Sequence, residues 1–406
     1  MKSILFLLLC LFSNDVFTQP ETTDFERLDQ HLKTYITGER LAGIATLVMK
    51  NDTVLYKSNL GWQDLEKKQP ITDQTLFRLA SLTKPIVSVG ILKLLDQGKL
   101  SLDAPISKYL PFFQSPVVLG QINPIEQPIR IHHLLSHTSG ITSELAGGEV
   151  AKLYKESLHK GQTSLEAFIK DLASFPLEVA PGTRFLYSYS PDVLGLIIEK
   201  ISGQPLDQFL KEQVFEPLEM NSTSFKVAPE RIDDFASIFT YNEQKQLVLV
   251  QPNKESPYLK GVMPRGNSGL VSTVTDYSHF ALMLLNKGQY NGQQYLQEET
   301  VALMVRNHVP TPALPIGAGP ITFSGLGFGY GVAVSYEPNP LGTIPGTYGW
   351  IGASHTTFWV DPANGLFGVL FTQFSGKAGD CPILFEFNPL VYRCLAIKEN
   401  GIPSQE

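Results

Sequence analysis

Apolar side chains near the start of the chain recur first with the spacing of a helix and then with the pattern of strands. In residues 25–37 they return every three or four positions, the period of an amphipathic helix, and Gly38 follows as a stop signal. Residues 41–49 and 54–60 are rich in strand-forming residues and are separated by Asn51-Asp52, a common hairpin turn. The pattern therefore predicts a helix followed by a β-hairpin.

The middle of the chain is predicted to be mostly helical. Residues 81–95 form a long apolar helix, which begins near Ser81 because Pro85 lacks an N–H and is tolerated only in a first turn. Further helices are predicted at residues 131–136, 150–158, 165–172, 193–201, 276–285 and 298–305, with a last helical stretch at 390–397. Two strong strands are predicted at residues 350–360 and 366–373.

Strand signals thus lie at both ends of the chain and helices lie between them. The simplest packing is an α+β fold, with one antiparallel β-sheet built from both chain ends, flanked by helices, and a mostly helical insertion. Residues 19–73 and 221–402 would form the sheet domain and residues 74–220 the helical domain. Because binding sites concentrate where two such bodies meet, the site is expected between them.

The N-terminal residues have the layout of a secretory signal peptide. Lys2 precedes an apolar run at residues 4–12 that is too short to span a bilayer. A lipoprotein anchor at Cys10 is disfavoured, because the residues before it are not small. We expect residues 1–18 to be removed by cleavage near Thr18 and Gln19, giving a periplasmic or secreted chain with no membrane span.

The net charge bears on binding to nucleic acid, and the cysteine content bears on a possible disulfide. The formal net charge is −7 and no block of Lys and Arg occurs, whereas binding to nucleic acid needs a basic patch, so nucleic acid is not an expected partner. Outside the predicted signal peptide only Cys381 and Cys394 remain. They either pair in an oxidising compartment or are two buried thiols, and the sequence leaves both alternatives open.

Ser81 and Lys84 are the first residues with candidate chemistry. Residues i and i+3 share a helix face, so the hydroxyl and the amine would lie side by side at the positive end of the helix dipole. Serine is a weak nucleophile until a base takes its proton, and a buried lysine, whose charged form is disfavoured, can be that base. The spacing alone is weak support, because it recurs at Ser157 and Lys160 in a polar stretch that indicates a solvated face.

A second candidate lies in residues 181–203, where a turn leads through Tyr187 and Tyr189 into a helix. A phenol beside a cation loses its proton more easily, so a tyrosine near an amine can carry and return protons. The alternative is a core aromatic ring whose hydroxyl bonds to the backbone. Tyr187 is preferred and Tyr189 is its rival, since spacing does not separate them.

These segments together resemble the superfamily of serine β-lactamases, penicillin-binding proteins and class C β-lactamase-like (family VIII type) esterases. The resemblance runs in the expected order through residues 77–103, 130–142, 181–203, 266–280, 325–334 and 349–373. It implies the β-lactamase/transpeptidase-like fold, with Ser81 as the acylated nucleophile, Lys84 as its base partner and Tyr187 as the proton shuttle. It implies no metal ion and no other cofactor.

Acyl transfer also needs N–H donors directed at the developing oxyanion. The backbone N–H of Ser81 is one expected donor. The resemblance places the second at Ala353, following an edge strand that carries Trp350, Ile351 and Gly352.

Departures from the β-lactamase pattern bear on the substrate. Trp350-Ile351-Gly352 stands where β-lactamases carry Lys-Thr-Gly, and so lacks the cation and the hydroxyl that hold a β-lactam carboxylate. The family's esterases carry Trp-Gly-Gly there. Tyr189 stands where β-lactamases usually have Asn, and His355 where glycine is common. These four residues, Tyr189, Trp350, Ile351 and Gly352, are the expected substrate-binding residues, and the departures favour an ester over a β-lactam.

The sequence thus predicts an exported serine hydrolase that cleaves a small-molecule carboxylic ester, or a related amide, through an acyl-enzyme on Ser81. Three alternatives stay open: a β-lactamase or D-amino-acid peptidase, an acyltransferase, and a catalytically silent protein that binds cell-wall peptide. His133 and His137 have a metal-binding spacing, but the HExxH glutamate and a third ligand are missing, so no metal site is expected. The oligomeric state is left open.

Overall fold

A computed structural model describes residues 25–157, 162–318, 321–376 and 380–397. The predicted signal peptide with its cleavage point near Thr18 and Gln19, Cys10, and Lys160 of the second Ser-x-x-Lys pair lie outside these residues. The helices are α1 (Phe25–Thr37), α2 (Thr83–Asp96), α3 (Ile131–Leu135), α4 (Glu149–Ser157), α5 (Leu165–Leu172), α6 (Ser190–Ser202), α7 (Leu206–Leu210), α8 (Val274–Leu285), α9 (Glu298–Met304) and α10 (Ile383–Cys394). The strands are β1 (Gly43–Lys50), β2 (Thr53–Asp64), β3 (Gln69–Pro70), β4 (Phe77–Arg78), β5 (Phe239–Tyr241), β6 (Leu247–Leu249), β7 (Val271–Ser272), β8 (Gln289–Tyr290), β9 (Gln293–Gln294), β10 (Ile316–Ala318), β11 (Ile321–Phe323), β12 (Leu326–Phe328), β13 (Ala333–Ser335), β14 (Tyr348–Gly352), β15 (Thr356–Asp361) and β16 (Leu366–Phe371).

The main sheet joins the two ends of the chain. Its eight strands follow the order β12-β13-β14-β15-β16-β1-β2-β3, and neighbouring strands are antiparallel. The central pairing brings β1 against β16, with Ala45 opposite Phe371 and Lys50 opposite Leu366. The predicted α+β fold, with an antiparallel sheet built from both chain ends, is confirmed.

Helices cover both faces of this sheet. On one face α1 and α10 pack over a cluster that includes Phe25, Leu28, Trp359 and Phe387. On the other face α8 packs against β1, β15 and β16. Both faces of the central strands are therefore buried, which explains why β15 and β16 have buried residues at every position instead of alternating ones.

The helices of the middle segment pack mainly on one another, with α2 at their centre. Helix α2 contacts α6 and α7, and α6 contacts α3 and α5. A helix that is apolar on all sides belongs in a core, and α2 is buried from Thr83 through Leu92. The division into a sheet domain (19–73 and 221–402) and a helical domain (74–220) stays a prediction.

Two predicted elements were wrong in their extent. The single strand at 350–360 is two strands, β14 and β15, separated by a turn at residues 353–355 in which His355 has a positive φ of 55°. The last helix begins at Ile383 and not at residue 390. It continues through Pro389, which lies in its interior. Proline normally favours a helix start, so the earlier turns were missed.

Two further expectations concern cysteines and membranes. Cys381 and Cys394 are not joined by a disulfide, and of the two predicted buried thiols only Cys381 is buried, whereas Cys394 is half-buried. None of the helices in the described part of the chain combines the length and the apolar character needed to cross a bilayer.

Candidate active site

Ser81 lies in a tight turn at the entrance to α2. The turn Ala80–Leu82 is a 3₁₀ helix, and α2 begins at Thr83, slightly later than predicted. Ala80 has a φ of 48°, a left-handed conformation that is uncommon for a residue with a side chain and that often marks a functional site. Ser81 stays half-buried while Leu82 and the following residues enter the core. The turn therefore presents the hydroxyl at the edge of the core.

Lys84 is buried beside Ser81, as their spacing predicted. Its Nζ donates to Ser81 Oγ at 3.0 Å and to the backbone carbonyl of Asn267 at 2.9 Å, and the residue is only 1% exposed. Within the described ranges no carboxylate lies at ion-pair distance from Lys84. The amine is thus held by a hydroxyl and a carbonyl.

Tyr187, and not Tyr189, reaches the serine. The Tyr187 hydroxyl donates to Ser81 Oγ at 2.8 Å, and Lys84 Nζ lies 4.6 Å from the centre of the Tyr187 ring. The Tyr189 hydroxyl instead donates to Glu144 Oε2 at 2.9 Å, and burial together with this carboxylate raises the pKa of Tyr189. Of the two rival tyrosines, Tyr187 is therefore the one whose hydroxyl contacts Ser81, and its role as proton shuttle stays a prediction.

Strand β14 brings Trp350 and the predicted oxyanion donor to this group. Trp350 Nε1 donates to the Tyr187 hydroxyl at 3.4 Å, and the two ring centres are 5.6 Å apart. Gly352 lies against the turn that holds Ser81, since a Cβ at Gly352 would be only 2.5 Å from the Leu79 carbonyl oxygen. Glycine permits this close approach of two backbones.

The strand that leads to Ala353 is not at the edge of the sheet, contrary to prediction. Strand β14 lies between β13 and β15, but β13 pairs only with Tyr348 and Gly349, so among the described residues the second half of β14 has no strand partner on that side. Ala353 follows the strand end, is exposed, and its N–H makes no backbone hydrogen bond within the described ranges. The backbone of Ala353 is therefore available as a donor near the Ser81 turn.

The other predicted substrate-binding residues have different environments. Trp350 is 3% exposed and packs on Tyr187 and Phe328, whereas Ile351 points to the opposite face of β14 and is half-buried. Tyr189 is buried, with its hydroxyl on Glu144. A role for these side chains and for Gly352 in binding substrate stays a prediction.

The two histidines that were considered as a metal pair have separate partners. His133 Nδ1 accepts from the backbone N–H of Arg130 at 3.1 Å, and His137 Nδ1 contacts Ser188 Oγ at 2.9 Å. The His137 ring packs 5.1 Å from the Tyr187 ring. Burial, assisted by the charge of Lys84, lowers the pKa of His137 well below its usual value. His137 therefore supports the tyrosine as a neutral packing residue.

Sequence reasoning missed one part of the site. The Asn267 carbonyl that accepts from Lys84 belongs to a segment held by an ion pair between the buried Asp192 and the half-buried Arg265. In the sequence, residues 266–280 were noted as one of the segments that resemble the superfamily, but no residue in that segment was given a role. No local pattern links residues 73 positions apart.

Comparison with known proteins gives concordant matches along the chain. A family model described as Beta-lactamase matches residues 28–385. Esterase EstB of Burkholderia gladioli is 31% identical over 389 residues, covering 90% of this chain and 94% of that protein. Protein Rv1367c of Mycobacterium tuberculosis is 32% identical over 341 residues, covering 80% of this chain and 83% of its own.

Solved structures agree with these matches. The structure described as EstCE1, a hydrolase with promiscuous acyltransferase activity, superimposes with a TM-score of 0.78 and 27% identity. It covers 92% of this chain and 98% of that chain. The predicted resemblance and its fold are confirmed.

Proposed function

The chain belongs to the Beta-lactamase family, and from that premise we propose that it cleaves a small-molecule carboxylic ester through an acyl-enzyme on Ser81. Its fold is of the serine-hydrolase type, and its relatives include an esterase. The observation that carries the proposal is the convergence of Lys84 Nζ and the Tyr187 hydroxyl on Ser81 Oγ, at 3.0 and 2.8 Å.

The contacts fit a two-step reaction. Ser81 Oγ attacks the acyl carbon while its proton passes to Lys84, and the backbone N–H groups of Ser81 and Ala353 stabilise the negative oxygen. The Tyr187 hydroxyl gives a proton to the departing alkoxide and is reprotonated from Lys84, so the alcohol leaves neutral and the acyl group stays on Ser81. Water then attacks the acyl-enzyme, with the same two groups removing and returning the proton. No metal or organic cofactor is needed for these steps.

An ester is favoured over a β-lactam by what lines the site. Trp350 occupies the position of the β-lactamase lysine and packs its ring against Tyr187 and Phe328. An indole offers one N–H donor, which Tyr187 takes up. A β-lactam carboxylate would therefore find no cation at this position, whereas a neutral ester needs none.

The proposal is tested with a panel of p-nitrophenyl esters and a chromogenic cephalosporin. Wild type should hydrolyse short-chain esters faster than the cephalosporin, and Ser81→Ala should lose at least about a thousandfold of the esterase activity if the nucleophile is essential. Ser88→Ala is the matched control, because Ser88 is a nearby serine that lies buried within α2 and not in the turn that presents Ser81. Equal ester turnover in wild type and Ser81→Ala, or a preference for the cephalosporin, would reject the proposal.

Transfer of the acyl group to an alcohol is the second candidate. EstCE1, whose structure this fold matches, is described as a hydrolase with promiscuous acyltransferase activity. The same acyl-enzyme yields a new ester when an alcohol replaces water in the second step. Product analysis of a p-nitrophenyl ester reaction with and without added alcohol separates the two, and a hydrolase gives mainly the free acid.

Export is the remaining part of the proposal. It is supported by the charged and apolar layout of residues 1–18. Expression of the full chain in a Gram-negative host should give a periplasmic product whose N-terminal sequence begins near Gln19. A product that keeps Met1 and stays in the cytoplasmic fraction would contradict it.

A further inference from the structure

A buried carboxylate lies behind the lysine of the candidate active site. Asp192, in the first turn of α6, is fully buried, and its carboxylate bonds to Arg265 and to the backbone of Asn267. We propose that Asp192 is a positioning residue for Lys84, acting through the backbone of Asn267. This inference rests on the proposed role of Lys84 as the base partner of Ser81.

One carboxylate fixes both ends of a three-residue segment. Asp192 Oδ2 pairs with Arg265 Nη2 at 2.8 Å, and Asp192 Oδ1 accepts the backbone N–H of Asn267 at 2.8 Å. The carbonyl of the same Asn267 accepts from Lys84 Nζ at 2.9 Å. An unbroken path of hydrogen bonds thus runs from the Arg265–Asp192 pair to the amine beside Ser81.

The packing around Gly266 makes this path rigid. Gly266 lies directly on the first turn of α6, and a Cβ there would overlap the carbonyl group of Pro191. The segment 265–267 therefore has no freedom to move closer to the helix. Arg265 is fixed on its outer side by the Phe168 ring, 4.2 Å from its Cζ. The Asn267 carbonyl is consequently held in one place relative to α6.

A fixed acceptor matters because a lysine side chain is flexible. Lys84 has two hydrogen-bond acceptors among the described residues, Ser81 Oγ and the Asn267 carbonyl. Loss of the second would leave the amine held only by the group that it must deprotonate. A misplacement of about 1 Å can cost about a hundredfold in rate, so the carboxylate affects catalysis without touching the substrate.

The first experiment removes the acceptor and measures chemistry at Ser81. Asp192→Ala should lower kcat for a p-nitrophenyl ester, and the labelling rate of Ser81 by a fluorophosphonate probe, by about a hundredfold, with KM nearly unchanged. Asp192→Asn combined with Arg265→Gln keeps an oxygen for the Asn267 N–H without the charges, and should recover activity to within about tenfold of wild type. Equal losses in both variants would overturn the proposal.

A control separates positioning from general stability. Asp276 is also a buried carboxylate in the first turn of a helix, α8, where it accepts from the backbone N–H of Ser222 at 2.7 Å and from Thr223 Oγ1 at 2.9 Å. Asp276→Ala should lower the thermal midpoint but leave kcat of the folded protein within about threefold of wild type. If the two alanine variants lose kcat in equal measure, Asp192 is only a structural residue and the proposal fails.

Two further measurements keep the test decisive. If Asp192→Ala does not fold, Asp192→Leu with Arg265→Met replaces the ion pair by apolar groups, an exchange that is often neutral for stability, and the same loss of labelling is expected. A crystal structure of Asp192→Ala, or of the double variant Asp192→Leu with Arg265→Met, gives a readout that does not depend on turnover. In it, Lys84 Nζ should lie farther from Ser81 Oγ than in wild type. An unmoved amine overturns the inference, whereas a wild type that neither labels nor turns over esters rejects the proposed function itself.

Discussion

The Tyr187 hydroxyl lies 2.8 Å from Ser81 Oγ, although the two residues are 106 positions apart in the sequence. Ser81 stands at the entrance of the central helix, and Tyr187 in the extended segment that precedes α6. Trp350, on the sheet, donates to the same phenol oxygen. The phenol thus connects the serine, the helical segment and the sheet, and its loss should affect chemistry more than folding.

Replacing Tyr187 by phenylalanine removes only this oxygen. Because proton transfer by a positioned side chain contributes about 10²- to 10⁴-fold, Tyr187→Phe should lower kcat/KM for p-nitrophenyl esters by a factor in that range. The ring still packs on Trp350 and His137, so the thermal midpoint should stay close to that of wild type. Steady-state kinetics and thermal unfolding check the two parts.

Tyr348→Phe is the matched control for this substitution. Tyr348 is also buried and also donates from its hydroxyl, but to the Leu284 carbonyl at 3.1 Å. Its loss should reduce stability by about 1 kcal/mol and leave kcat/KM almost unchanged. Similar kinetic losses in both variants would show that Tyr187 acts through structure and not as a proton carrier.

The sequence was sufficient for most of the helices and for the pair Ser81 and Lys84, because both depend on local spacing, but it missed the turn between β14 and β15 and the start of α10. Helix α1 has the predicted limits, and Ser81 and Lys84 meet as residues i and i+3 near a helix start should. Only the fold separates Tyr187 from Tyr189. Both are tyrosines two positions apart in one extended segment, so the sequence does not show which hydroxyl contacts Ser81. The sequence could not predict the Asp192–Arg265 ion pair either, because only tertiary packing brings these two residues together.

Gly352→Ala should disable the site by pushing two backbones apart. An added Cβ would lie 2.5 Å from the Leu79 carbonyl oxygen and would overlap Thr356 Oγ1. The Ala353 N–H would then move away from the oxyanion position, and loss of one such donor costs about 10²- to 10³-fold in kcat. Ester kinetics and fluorophosphonate labelling measure this effect.

Gly90→Ala, within α2, is the control for an added methyl group. A Cβ there approaches the ends of the Ile198 and Leu210 side chains at 3.2 Å and the edge of the Phe209 ring at 3.4 Å, and all three are side-chain atoms that can shift. Its kcat should stay within about threefold of wild type, since alanine favours the helix. If Gly352→Ala keeps full activity, the end of β14 does not supply an oxyanion donor.

Cys381 should be almost inert toward alkylating reagents in the folded protein. It is fully buried, and burial raises the pKa of its thiol to about 11. At pH 8 this lowers the reactive thiolate fraction by about a hundredfold relative to an ordinary cysteine. Peptide mass spectrometry after iodoacetamide treatment should find Cys381 unmodified in native protein and modified in urea. Rapid native modification would contradict its burial.

Stability should fall as the solution is acidified from pH 7 to pH 5, and His133 should account for a measurable part. Burial, with the nearby His132 and Arg130, lowers the pKa of His133 to about 4. The unfolded chain, with an ordinary histidine pKa of about 6.5, therefore binds a proton more readily in this interval than the folded chain does. The stabilising contribution is present above about pH 6.5 and is lost as the pH falls toward about 4.

His133→Asn tests this contribution, because an asparagine oxygen can replace Nδ1 as the acceptor for the Arg130 N–H. Between pH 7 and pH 5 one such group costs the wild type about 2 kcal/mol, given 1.36 kcal/mol per unit of pKa difference. The variant should lose about that much less over the same interval. Urea unfolding of both proteins at the two pH values gives the comparison, with the m-value as a check that the same surface is exposed. Parallel stability losses would mean that the folded protein accommodates a protonated His133, and that its burial does not exclude the charge.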